Sequence, residues 1–219
     1  MARKVGTPPS RAPADIPPEL DTLELVTAES LLAGQALEYS RAEKVNLADR
    51  QLPSLRLKNC LLENVSFANC TVLSVRLQDV RFRKCDLSNA VLRGSEATRV
   101  EFIDCRLTGL KAIECNWRDA LIEGCDARYA QFNDGSVRTC EFKTTQLQDA
   151  DFRNANLNGT IFIQTAFNRS DLSGAKLRNA DLRGADLAEA VFRAEDVYGA
   201  IVSPAQAMEL ARLLGVVIR

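Results

Sequence analysis

Histidine is absent from the chain. That single absence removes serine–histidine triads, cysteine–histidine nucleophiles and imidazole metal sites. A surplus of charge of either sign is also missing: 28 basic residues stand against 29 acidic ones, a formal net charge of −1. A general nucleic-acid binder or a polybasic membrane anchor needs a marked positive excess, so neither direct nucleic-acid binding nor membrane attachment is expected. No apolar run is long enough to cross a bilayer, and the N-terminus lacks the apolar core of a secretory signal. A soluble, cytoplasmic protein is expected. No glycine-rich phosphate loop of the G-x-x-x-x-G-K or G-x-G-x-x-G type occurs, and no cofactor is expected.

What the chain has instead is a period of five. Every fifth position from Leu47 to Val202 is apolar, thirty-two of thirty-two, and all nine phenylalanines fall in this phase. At 46% apolar composition such a run is not chance. The position two before each apolar centre is mostly Ala, Cys, Val, Ser or Thr, as at Ala150, Ala155, Ala175, Ala180 and Ala185; the charged exceptions, Arg50 and Glu195, lie near the two ends. The other three positions are polar and must face water. A helix cannot satisfy this pattern, because five residues advance about 500° and an apolar stripe would drift about 140° per repeat. A plain strand, with period two, also fails. A chain that turns a corner every five residues keeps each centre pointing inward, and four corners make a square coil of twenty residues. Residues 45–202 therefore predict an all-β solenoid of about eight coils, roughly 38 Å long at about 4.8 Å per coil.

The flanks differ. Residues 1–20 hold five of the seven prolines and are expected to be a disordered tail. Residues 21–44 are expected to be an irregular cap and first coil, since Gln35 and Arg41 fit the repeat poorly. After the repeat, Ser203-Pro204 opens and Gly215 closes a short helical segment, with Ser as N-cap, Pro in the first turn and Gly at the stop. A short helix covering the last coil, followed by an apolar tail, is predicted within 203–219, because a solenoid must cover its open end.

The units Asp149-Ala150-Asp151-Phe152-Arg153, Asn179-Ala180-Asp181-Leu182-Arg183 and Gly184-Ala185-Asp186-Leu187-Ala188 resemble the A-(D/N)-L-x-x signature of pentapeptide-repeat proteins. The resemblance covers about three-quarters of the chain. It implies a right-handed quadrilateral β-helix with a C-terminal module that joins two rods into a homodimer, here through Met208, Leu210, Leu213, Leu214, Val216, Val217 and Ile218. It also implies a protein partner. Some members protect DNA gyrase from quinolones and are proposed to mimic DNA.

Catalytic and metal readings are weak. Cys60, Cys70, Cys85, Cys105, Cys115, Cys125 and Cys140 all occupy the small inward position. Seven is odd and no C-x-x-C pair occurs, so packing in a reducing compartment is expected rather than disulfides or zinc. Carboxylate pairs such as Asp149 and Asp151 would need a cleft with divergent environments, which a filled rod without inserted loops does not offer. Acids just before the centre, Asp151, Asp171, Asp181 and Asp186, are expected to bond turn backbone. No catalytic residue is assigned and an enzyme is not expected.

Surface charge is the remaining signal. The face with centres 57 to 197 carries Arg56, Lys58, Arg76, Arg118 and Arg138 and sums to +4, while the opposite face carries Asp126, Asp149, Asp186 and Glu189 and sums to −3. Residues 45–100 sum to +4 and residues 101–151 to −4, and the whole repeat sums to zero. B-DNA of the same length would carry roughly 22 negative charges. These nine residues are the candidate partner-binding positions of a non-catalytic scaffold. The alternative is a gyrase- or topoisomerase-binding DNA mimic that confers quinolone-type protection through the acidic face.

Overall fold

A computed structural model describes residues 10–17, 22–213 and 215–217. The strands pair in parallel at an offset of twenty. Leu57 lies beside Leu77 and Leu62 beside Phe82, Phe82 beside Phe102, Phe102 beside Ile122, Ile122 beside Phe142 and Phe142 beside Phe162. Each residue thus sits one coil above the residue twenty before it. The molecule is a parallel β-solenoid of about eight turns capped by a C-terminal helix.

Each position of the five has its own physical reason. The centres are dry: Phe102, Phe132, Phe142, Phe152 and Phe167 are 0% exposed, and of the nine phenylalanines only Phe192 is less than fully buried. The rings form ordered columns, with Phe82 on Phe102 at 4.9 Å and Phe142 on Phe162 at 5.1 Å between centroids. Ala97 pairs with Trp117 in the next coil. The indole fills the space that alanine leaves, stacks on Phe102 at 5.4 Å, and donates its N–H to Ser95 Oγ at 2.9 Å, which satisfies its polar end.

Two residues before the centre, a thiol or hydroxyl donates to a carbonyl of the coil below. Thr145 reaches the Ile122 oxygen at 2.9 Å, Thr160 that of Val137 at 2.7 Å, and Cys125 that of Phe102 at 3.4 Å. This position therefore takes Cys, Ser and Thr as well as Ala, since each satisfies its own donor. All seven cysteines are free and buried. Burial pushes the Cys140 thiol up to about 12, so it stays protonated and non-nucleophilic.

Two residues after the centre the backbone turns left-handed, with φ of 56° at Asn69, 53° at Asp104 and 57° at Asn154. Asn, Asp and Gly dominate there because they tolerate that conformation. The acids just before the centre bond the turn. Asp151 accepts the Arg153 N–H at 3.0 Å, Asp171 that of Ser173 at 2.9 Å, Asp181 that of Arg183 at 3.1 Å, and Asp186 that of Ala188 at 3.0 Å.

The solenoid register begins before residue 45. The region 21–44 divides in two. Helix α1 (Ala28–Leu32) buries Leu31 against the first coil, but Ala36 to Glu43 already pair in the twenty-residue register, Leu37 with Leu57 and Ala42 with Leu62. Arg41 takes an outward position beside Ala42, so its polarity suits the repeat. In the stretch read as a disordered tail, residues 10–17 lie against the rod through hydrogen bonds to Asn59, Asp79 and Glu101; residues 1–9 and 18–20 lie outside the described residues.

At the other end, helix α2 (Pro204–Leu213) opens on a capping box. Gln206 N–H donates to Ser203 Oγ at 3.2 Å, and Ser203 N–H to Gln206 Oε1 at 2.9 Å. The same glutamine donates its Nε2 to the carbonyls of Leu182 at 2.7 Å and Ala185 at 2.8 Å, so one side chain caps both the helix and the last coil. Gly215, at φ 78°, ends the helix: its N–H donates to the Arg212 carbonyl and the Val216 N–H to that of Ala211. No helix among the described residues is long and apolar enough to cross a membrane.

Candidate interaction faces

The coil geometry brings Arg56, Lys58, Arg76, Arg118 and Arg138 to one side of the rod. Arg56 lies directly beside Arg76 on adjacent strands, and Arg118 beside Arg138. Like charges opposite one another on neighbouring strands destabilise a sheet. The lower stack is partly relieved: Arg76 approaches Glu96 at 3.4 Å and Lys58 approaches Glu38 at 3.9 Å. Those pairs are largely exposed and worth little. The upper stack is not relieved. Arg118 and Arg138 are exposed, and among the described residues neither side chain forms an ion pair. A shallow depression of about 310 Å³, lined by Ala36, Arg56, Lys58, Arg76, Glu96 and Thr98, lies on the same face.

The opposite face behaves differently. Asp126 is held by Arg128 at 2.9 and 2.7 Å, and Asp149 by Arg169 at 2.9 and 2.7 Å. Those guanidinium bonds keep both carboxyls below the ordinary 3.8. Asp186 accepts from Asn168 at 3.0 Å. Glu189 is exposed. Arginines of that same face neutralise two of the four acids, a pairing that the sequence does not show. At the C-terminus, Met208, Val216 and Val217 are 50%, 52% and 78% exposed, and Leu210 is half-buried. The Leu213 side chain, Leu214 and Ile218 lie outside the described residues.

Sequence reasoning missed a third site, at the corner between the face with centres 57 to 197 and the face whose centres include Phe82, Phe102 and Phe142. Asn59, Asp79 and Glu101 occupy outward positions yet are 6%, 2% and 4% exposed. The available signal was apolar residues in outward slots, Leu61 and Leu121, which are 6% and 5% exposed. Burial pushes the Asp79 carboxyl up, but hydrogen bonds from Arg99, the Asp15 N–H and Gln78 outweigh it and hold the group below 3.8. Glu101 follows the same rule: burial raises it, while Arg81, the Ala14 N–H and Arg11 bring it below 4.5. A carboxyl held low in the folded state contributes stability fully above its ordinary value, and the contribution is lost as pH falls through the lowered value. Urea unfolding is expected to give constant stability from neutral pH to about 5 and a steep fall below about 4. Asp79→Asn should flatten that fall; an unchanged slope contradicts the assignment.

Comparison with known proteins agrees with this geometry. A pentapeptide-repeat-region model matches residues 75–152, and a second model, of eight pentapeptide repeats, matches 145–184 and 170–194. Together they span more than half of the chain. The chain belongs to the pentapeptide-repeat family. No curated protein matches it by sequence. Among solved structures, full-length QnrB1, a plasmid-mediated fluoroquinolone resistance protein, is 23% identical with a TM-score of 0.38, covering 88% of this chain and 95% of that one. HetL, a pentapeptide-repeat protein involved in heterocyst differentiation regulation from the cyanobacterium Nostoc sp., is 16% identical with a TM-score of 0.32, covering 81% and 94%.

Proposed function

We propose that this pentapeptide-repeat protein is a non-catalytic scaffold that binds an acidic protein surface through its arginine face. The observation that carries this reading is Arg118 stacked on Arg138, in register, exposed and, among the described residues, in no ion pair. Such a pair works against folding, and a partner that supplies carboxylates relieves it. A rigid, dry-cored rod presents the face without rearrangement, which limits the ordering cost of binding. Affinity capture with wild type and with Arg118→Glu/Arg138→Glu side by side, followed by titration of each purified candidate, tests it. A partner whose affinity falls at least about tenfold, or about 1.4 kcal/mol, supports the reading; partners that bind both forms equally overturn it.

The gyrase-binding DNA mimic has one observation in its favour, the net −4 of residues 101–151. It is the weaker reading because Asp126 and Asp149 are already ion-paired and the acidic charge is not continuous along the rod. A supercoiling assay with and without a quinolone separates the two: neither inhibition nor protection removes the mimic.

The exposed Met208, Val216 and Val217 at the rod tip support homodimerisation through the C-terminal module. Light scattering is expected to give twice the chain mass for wild type and the single mass for Met208→Glu/Val217→Glu. A wild-type monomer, or a dimer that survives both charges, contradicts it.

A further inference from the structure

Residues 11–15 lie along a built groove. The Arg11 guanidinium donates to Glu101 at 3.1 Å and lies 3.7 Å from Glu141, spanning Leu121, which sits in the column between those two carboxylates. Ala14 N–H donates to Glu101 Oε1 at 3.3 Å, Asp15 N–H donates to Asp79 Oδ1 at 2.9 Å, and Asn59 Nδ2 donates to the Asp15 carbonyl at 2.6 Å. The receiving groups are fixed in advance. Arg81 Nε holds Glu101 at 2.8 Å, and Arg99 grips Asp79 with two bonds of 2.7 and 2.6 Å. The contacts step down the rod from Glu141 to Asn59. From the Arg11 contacts to the Asp15 contacts is about two and a half coil spacings, roughly 12 Å. Four residues in extended form reach about 13–14 Å. The segment therefore runs extended along the rod axis, across the strands. Three of the contacts engage backbone atoms, so arginine is what the groove reads from the side chains. Pro13 has no N–H to place and favours an extended backbone.

We propose that this face is a docking groove for an extended, arginine-bearing peptide segment of a protein partner, and that Arg11–Asp15 occupy it in cis as its resident ligand. The groove adjoins the arginine face at the corner formed by Asn59, Asp79 and Arg99, and has the opposite preference in charge. A segment with arginine three and four residues ahead of two free backbone N–H groups fits it. Buried carboxylates already fixed by Arg81 and Arg99 need no reorganisation to accept that segment.

The test uses the full chain and a fluorescent peptide with the sequence of residues 10–17. Arg11→Ala weakens the cis ligand, so this variant is expected to bind the peptide at least about tenfold more tightly than wild type, and Arg11→Ala/Glu101→Gln to lose that binding. A peptide with alanine in place of its arginine should not bind. Circular dichroism confirms that each variant is folded, and Asp79→Asn serves in place of Glu101→Gln if the latter is not. A second readout is limited trypsinolysis of the native chain. Cleavage after Arg11 should be at least about tenfold faster in Glu101→Gln than in wild type, because local opening exposes the bond. Equal peptide binding by wild type and Arg11→Ala, no binding by either, or equal cleavage rates overturn the proposal.

Discussion

Phe142→Ala is expected to lower stability by about 3–5 kcal/mol. The ring is 0% exposed, stacks on Phe162 at 5.1 Å, and meets Phe132 and Phe152 edge-on at 6.2 Å each. Removing it leaves a void walled by three aromatic rings that the flanking coils hold in place. At about 2–4 °C per kcal/mol for a chain of this size, the melting temperature should fall by about 6–20 °C. Alanine is tolerated at centres 97 and 112 only because Trp117 and Phe132 lie over them in the next coil, whereas the residue over Phe142 is another phenylalanine. Ala97→Phe is therefore also destabilising, through overpacking against the indole. Calorimetry checks both. A Phe142→Ala protein that melts within a degree or two of wild type would mean that the ring is not packed in a shared interior.

Arg138→Glu is expected to separate binding from stability. Because Arg118 and Arg138 are register partners, a glutamate at 138 converts a like-charge stack into an opposite-charge pair worth about 0.2–1 kcal/mol. The melting temperature should stay level or rise slightly while affinity for the acidic partner falls about tenfold or more. Adding Arg118→Glu restores a like-charge stack, now negative. Stability should return to the wild-type level and binding should fall further. A structural role for the two arginines would move binding and stability together, so the order of the three proteins in each assay discriminates the readings. Higher salt should weaken wild-type binding, since both side chains are exposed and screened by solvent ions.

The fold was legible in the sequence to an unusual degree because its core signal is one-dimensional. A period of five with no inserted loop fixes which residues stack, so Leu57 beside Leu77 and Ala97 beside Trp117 follow from counting alone. The start of the solenoid was less legible, because Ala42 and Ser40 are small or polar and it is the pairing of Leu37 with Leu57 and Ala42 with Leu62 that shows they already belong to a coil. The charged faces were legible as sums but not as networks. Which aspartate meets which arginine depends on side-chain reach, as in Arg128 folding back on Asp126 two residues before it. The groove beneath residues 11–15 was hidden for a different reason. A proline-rich stretch without apolar period reads as a tail, and contacts through backbone N–H groups leave no pattern in residue types. Leu61 and Leu121 were the exceptions, apolar residues in slots that should face water.

The most direct test of the shared dry interior is fluorine NMR of protein carrying 4-fluorophenylalanine at all nine positions, with a soluble paramagnetic agent added. Eight resonances should be unaffected and one, from the half-buried Phe192, should broaden. Broadening of the signals from Phe102, Phe142 or Phe162 would contradict the interior and, with it, the placing of every charged face.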